Sequence, residues 1–150
     1  MAEVRKKIEI RNKKALFNYS VEMSFEAGIV LAGTEVKSIR NNAANFGDAY
    51  CYFADNELYI KNMQISPWKQ ASYNNHDPLA ERKLLLRKAE LKKIEAKSKE
   101  KGYTIFPIRL FETDRGFFKL EIGLGKGKKM FDKRDDIKER DAKREMERIR

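Results

Sequence analysis

The run GLGKGKK, residues 123–129, interleaves glycines with Lys126, Lys128 and Lys129. Glycines let a backbone close on a phosphate and lysines supply the charge to hold it. A nucleotide-hydrolysing P-loop needs a lysine directly after a glycine and then Ser or Thr. Here Lys126 is followed by Gly127 and two further lysines, so the chemistry on offer is phosphate contact, as in RNA binding, and not hydrolysis. A hinge between a folded body and the segment that follows is a second reading of the same glycines, compatible with the first. His76 is the sole histidine and has no cysteine at metal-ligand spacing, so a structural or capping role explains it. No serine stands in a nucleophile elbow and no two acids are set apart as a catalytic couple. Neither an enzyme nor a protein carrying a metal or cofactor is expected. Tyr50, Tyr52, Tyr59, Trp68 and Tyr73 would suit stacking on bases, although aromatics in a β protein of this size are more often core.

Charge is the stronger signal. The net +10 is carried in blocks: residues 1–14 hold six Lys/Arg against two acids, residues 79–101 nine against four, and residues 126–150 eleven against seven. Between them, residues 15–78 hold four against seven and residues 102–125 three against three. Three basic blocks around a neutral or slightly acidic body fit a polyanion partner, because each neutralised phosphate releases condensed counterions. A basic surface kept for solubility is the bland alternative. The single cysteine, Cys51, excludes an internal disulfide and fits a reducing cytosol. The N-terminus lacks the apolar run of a secretory signal, and AGIVLAG (27–33) is too short to span a bilayer. A cytoplasmic RNA binder is the reading.

These residues need a scaffold, and the body reads as mainly β. FNYSVEMSF (17–25) alternates, which predicts a strand with Phe17, Tyr19, Val21, Met23 and Phe25 on one face. GIVLAG predicts a further, more continuously apolar strand. TEVKSIR (34–40) predicts a short helix capped by Thr34, with Val36 and Ile39 inward. DAYCYFADNELYIKNMQI (48–65) predicts a hairpin turning at Asp55-Asn56. Asp77-Pro78 predicts the cap and first position of a helix running to Gly102, with Leu84, Arg87, Leu91 and Ile94 near one face and a break near residues 87–89. YTIFPIRLFE (103–112) and GFFKLEIGLG (116–125) predict a second hairpin across Thr113-Asp114-Arg115. Roughly six or seven antiparallel strands with two to three helices predict a small closed barrel of the kind that includes oligonucleotide-binding folds.

The last stretch, DKRDDIKERDAKREMERIR (132–150), forms a basic tail to a body of residues 1–131. Asp136 with Arg140 and Glu139 with Lys143 are favourable i,i+4 pairs, worth only about 0.2–0.5 kcal/mol each. Without an apolar docking face the tail is expected to be disordered when free. Once helical, it would align Arg140, Arg144 and Arg148 as a stripe.

The segments GIVLAGTEVKSIR (28–40), RKLLLRKAEL (82–91), KGYTIFPIRLF (101–111) and KLEIGLGKGKKMFDKRDDIKERDAKRE (119–145) together resemble the bacterial SsrA-binding protein (small protein B) family, in order and over essentially the whole chain. The resemblance implies a barrel that binds transfer-messenger RNA and delivers it to stalled ribosomes for trans-translation. Incomplete nascent peptides are then tagged and the ribosome rescued, with elongation factor Tu in the delivery complex. It further implies RNA contacts at Asn12 and Lys13 in RNKKA, Glu26 in FEAG, Leu84 in RKLLL, Lys119 in FKLEI and Gly127 in KGKK, beside Lys126, Lys128 and Lys129. Glu26 would orient basic groups or accept from a base amino group, or else form a plain structural ion pair; Leu84 would touch RNA or else be core. The ribosome's decoding site and mRNA channel would receive the segment from Phe131 onward, including Asp132, Lys133, Arg134, Ile137, Lys138, Arg140, Lys143, Arg144 and Arg148, helical once there. Leu79 and Glu81 stand where the family is richer in Arg, Arg87 where a histidine is common, and Phe131 where Tyr or His is usual. A constitutive ribosomal protein or general barrel-type translation factor is the alternative.

Overall fold

The structure is a computed structural model and describes residues 7–71 and 75–128. A short strand, β1 (Glu9–Arg11), leads through Asn12 into a helix, α1 (Lys13–Asn18), and then into the long strand β2 (Tyr19–Ile29). The helix replaces the first part of the strand expected from Phe17. Asn12 is its cap: the side-chain oxygen accepts from Ala15 N at 3.3 Å, while Nδ2 donates to the Pro107 carbonyl at 2.9 Å. Ala15 then packs on Phe106 and Ile108, with the Tyr19 ring stacked on Phe106 at 4.8 Å. The single apolar face expected for residues 17–25 also breaks at Val21. A bulge between Val21 and Met23 turns Val21 outward, 41% exposed, while Met23 and Phe25 pack on the core. Gly28 and Ile29 end this same strand, and no further strand follows over Val30-Leu31.

A helix follows, α2 (Gly33–Arg40), then a two-residue strand, β3 (Ala44–Asn45). Thr34 is not the cap of α2. Ala32 occupies that place, and the Glu35 carboxylate accepts from its backbone N–H at 2.8 Å. The hairpin of β4 (Tyr50–Ala54) and β5 (Glu57–Lys61) turns where expected. Asp55 and Asn56 have φ of 51° and 64°, the left-handed pair that matches strand twist in a two-residue turn. Its inward face carries Cys51, Leu58 and Ile60. Beyond it, β6 (Gln64–Ile65) pairs with β3 as a separate small sheet.

The helix expected from Asp77-Pro78 is replaced by a turn and a strand. Asp77 Oδ1 accepts from Leu79 N at 2.9 Å, closing the turn, and β7 (Arg82–Leu85) inserts between β5 and β2. The period over these residues is two: Arg82 and Leu84 are buried, and Leu85 is exposed. Insertion satisfies both neighbouring strand edges, which a helix here would leave open. Helix α3 (Lys88–Ser98) begins at the expected break, with Glu90 accepting from Arg87 N at 3.3 Å and Ile94 buried. The second hairpin, β8 (Tyr103–Glu112) and β9 (Phe118–Gly127), also forms where expected.

All pairings are antiparallel. The main sheet runs β1-β8-β4-β5-β7-β2-β9, with β8 also paired to β9. The architecture is thus mainly β with three helices among the described residues. Gly125 is buried where β9 crosses β2, and a Cβ there would lie 1.7 Å from the Ser20 carbonyl oxygen, so no larger residue fits. That glycine serves packing and not phosphate approach.

Arg82 is 3% exposed and forms a buried ion pair with Glu35, 5% exposed. Its remaining donors reach the carbonyls of Met63 at 2.7 Å and of Asp77 and Pro78 at 3.3 Å. Arg82→Met is therefore expected to cost about 3–5 kcal/mol, because Glu35 is left buried and unpaired; urea unfolding measures it, with Lys92→Ala, on an exposed face, as the near-neutral control. Burial raises the pKa of the Cys51 thiol well above its ordinary value. A thiol reagent at pH 8 should find no reactive cysteine in the folded protein and one after denaturation.

Candidate nucleic-acid interface

The residues expected to contact RNA fall into two groups at opposite ends of β9. At its C-terminal end, Tyr19 pairs with Gly127 and Ser20 with Lys126, and Lys128 N donates to the Asn18 carbonyl at 2.8 Å. The run 126–128 thereby lies beside the end of α1, whose first residue, Lys13, is exposed. Lys14 is next to it, ion-paired with Asp48, whose carboxyl it holds below the usual range by hydrogen bond and charge. Asn12 is buried, and its amide is occupied by Ala15 and Pro107. It shapes this corner without facing solvent.

Tyr103 draws a third basic element to the same place. The Lys126 ammonium lies 4.9 Å from the ring centroid and that of Lys97, from α3, lies 5.0 Å away. The phenol donates to Glu22 at 2.6 Å, and this bond raises the Tyr103 pKa; Glu100, more than the ring, raises that of Lys97. A cation over a half-buried ring such as Tyr103 gains about 0.5–1 kcal/mol or more and keeps its N–H groups available. Two of the basic blocks seen in sequence thus meet at one tyrosine. Nothing in local spacing links Lys97 to Lys126, so sequence reasoning missed it.

At the other end, Glu26 and Lys119 line one open cleft of roughly 540 Å³ with Gly28, Leu85, Leu86, Arg87 and Glu90. Gly28 pairs with both Leu85 and Lys119 and forms the floor. Among the described residues Glu26 makes no ion pair. Its strand partner Glu121 is engaged instead by Arg109 at 3.3 Å. A free carboxylate flanked by Lys119 and Arg87 is equipped to accept from a base amino group while the cations meet phosphates. Leu84 is fully buried between Leu58 and Ile29, which makes the core alternative the right one. The side chain that reaches the cleft is that of Leu85, 52% exposed.

Eight strand steps separate Lys119 from Gly127, about 26 Å at the rise of a β-strand. That spacing suits a folded polyanion and exceeds any mononucleotide. Of the first hairpin's tyrosines, Tyr50 lines a pocket beside Asn12, Lys14 and Asn18, and Tyr52 one beside Tyr103. Tyr52 stacks on Tyr59 at 5.9 Å and meets Tyr50 at 6.2 Å, and its hydrogen bond to Glu81 pushes its pKa up to about 12. Lys61 pairs with Glu81 and Lys83 with Glu57 across this face, which makes it a self-satisfied ladder. Leu79 is exposed on the turn before β7. His76 has both nitrogens engaged: Nε2 donates to the Ile65 carbonyl at 2.8 Å, and Thr34 meets Nδ1 at 2.8 Å. Among the described residues there is no cluster of acids, His and Cys fit to hold a metal ion, and no helix long and apolar enough to cross a membrane. Lys129, Tyr73, Phe131 and all of the tail positions expected to meet the ribosome lie outside the described residues.

Comparison with known proteins places this surface in context. The chain is 57% identical over 148 residues to the SsrA-binding protein of Cytophaga hutchinsonii, covering 99% of this chain and 97% of the relative. It is 51% identical to that of Phocaeicola vulgatus, with 95% of each covered, and 48% identical to that of Geobacillus kaustophilus, with 95% and 91% covered. Its fold matches a chain of the solved structure "tmRNA-SmpB: a journey to the center of the bacterial ribosome" with a TM-score of 0.70 at 41% identity, covering 82% of this chain and 86% of that one. The family model described as SmpB protein matches residues 9–150, and by that match this chain belongs to the SmpB protein family.

Proposed function

We propose that this chain is a non-catalytic RNA-binding adaptor of trans-translation: it binds transfer-messenger RNA and delivers it to stalled ribosomes, where incomplete peptides are tagged and the ribosome is released. The observation that carries the reading is family membership along residues 9–150, with relatives that are SsrA-binding proteins over nearly their whole length. The geometry supports it physically. Lys13, Glu26, Lys119, Lys126 and Gly127 are all exposed and form two stations, on or beside the two ends of β9. A protein that neutralises phosphates at both stations grips an RNA over a length that no small ligand offers.

The finer reading is a division of labour. The six strands β8, β4, β5, β7, β2 and β9, the last paired again with β8, support a closed barrel of the oligonucleotide-binding kind. This body, residues 1–131, holds the RNA through the two stations. The tail, residues 132–150, addresses the decoding site and mRNA channel, folding as a helix where RNA walls meet its arginines. Elongation factor Tu shares the delivery complex in the cytoplasm, and no cofactor or metal is needed.

A salt titration of binding to a transfer-messenger RNA transcript is expected to give a log–log slope set by the phosphates contacted. Lys126→Ala should reduce its magnitude by about one. Removing residues 132–150 should leave that affinity within about twofold while abolishing peptide tagging in a reconstituted translation system. A salt-independent affinity overturns the phosphate reading, and loss of most RNA affinity on truncation overturns the division.

A further inference from the structure

The tip of the β8–β9 hairpin carries an aromatic ring that neither the core nor the two stations employ. Phe117 is 67% exposed, whereas its neighbour Phe118 turns inward and is buried. The tip is ordered by its own hydrogen bonds: Thr113 N donates to the Phe117 carbonyl at 2.7 Å and Gly116 N to the Thr113 carbonyl at 3.0 Å. Phe117 N donates to Thr113 Oγ1 at 3.2 Å, and Gly116 supplies the left-handed step, φ +83°, that closes the turn. The ring is thus held out from a fixed backbone, and little conformational freedom remains to be lost when something packs on it.

The ring lines an open groove of roughly 490 Å³ together with Leu85, Asp114, Arg115 and Lys119. The groove shares Gly28, Leu85 and Lys119 with the cleft of Glu26 and continues it toward the hairpin tip. Its cations, Arg115 and Lys119, form no ion pair with any described residue, nor does Arg87 of the adjoining cleft, and the acid that lines the groove, Asp114, is taken by Lys7. A lining that combines apolar side chains, a flat ring and two cations matches a ligand that is itself a flat ring joined to phosphates.

We infer that Phe117 is a stacking platform for one unpaired nucleobase of the bound RNA, with Leu85 lining the same groove and Arg115 and Lys119 at the adjoining phosphates. The inference rests on the RNA-binding reading above and deepens it. The ring offers no hydrogen-bonding group, so the contact selects for an unstacked base and not for a sequence.

The test compares the full chain with Phe117→Ala, Phe117→Leu and Phe117→Trp for binding a transfer-messenger RNA transcript at several salt concentrations. Phe117→Ala is expected to weaken binding about 5- to 150-fold with the salt slope unchanged, since stacking displaces no counterion. Phe117→Leu should fall nearly as far, because apolar bulk without a ring does not stack, and Phe117→Trp should restore the affinity. Thermal unfolding midpoints should not move, as the side chain is outside the core. Affinity of Phe117→Ala within twofold of the unaltered chain overturns the inference, as does full binding by Phe117→Leu. Unchanged RNA affinity with altered self-association assigns the groove to a second copy and equally overturns it. Failure of the unaltered chain to bind the transcript removes the underlying reading and the inference with it.

Discussion

The ion pair between Arg82 and Glu35 joins residues 47 positions apart and sits where water does not reach. Removing two charges from water costs several kcal/mol per ion, and only a fully bonded setting offsets that cost. Here the setting is complete in kind. The Arg82 guanidinium also meets the carbonyls of Met63, Asp77 and Pro78, and the second Glu35 oxygen caps α2 through Ala32 N. One side chain therefore fastens α2, the end of the first hairpin, the turn at residues 77–78 and β7 to each other. The segments TEVKS and RKLLL, which carry much of the family likeness, supply its two ends.

The functional surface depends on that fastening through strand parity. With Arg82 drawn inward, Leu84 must also face in and Leu85 must face out, because side chains of a strand alternate. Leu85 then lines both the Glu26 cleft and the groove of Phe117. β9 provides the complementary constraint. Its inward residues Leu120, Ile122 and Leu124 lock it into the core, so Lys119 and Lys126 are held at a fixed separation by buried neighbours and not by their own flexible stems. Charge that must meet a polyanion at two places is best placed on such an element, since preorganisation lowers the cost of binding.

Local signals were legible where the turn chemistry is local. Asp55-Asn56 announces a left-handed two-residue turn by residue type, and both hairpins formed where alternation and turn residues placed them. The misreadings have nonlocal causes. Residues 78–102 carry apolar spacing that also fits a helix, and only the open edges of β5 and β2 convert residues 82–85 into a strand. Residues 13–18 became a helix because Asn12 finds Pro107, 95 positions away, to anchor its amide while it caps Ala15. Glycine content in GLGKGKK looked like a single phosphate loop, yet Gly125 answers to the Ser20 carbonyl of another strand, and Gly127 alone of that pair is exposed.

The sequence by itself determined the family. Uneven charge and a set of ordered motifs are properties of residue types and order, which folding does not alter. Tertiary structure decided which of the candidate residues face solvent and which share a cleft. Asn12 and Leu84 went inside, Glu26 and Lys119 came to share a cleft, and Lys97 met Lys126 over Tyr103. The physical reason is that facing is set by register and burial. Both depend on neighbours far along the chain, and a shift of one residue in a strand exchanges the face that is buried for the face that binds.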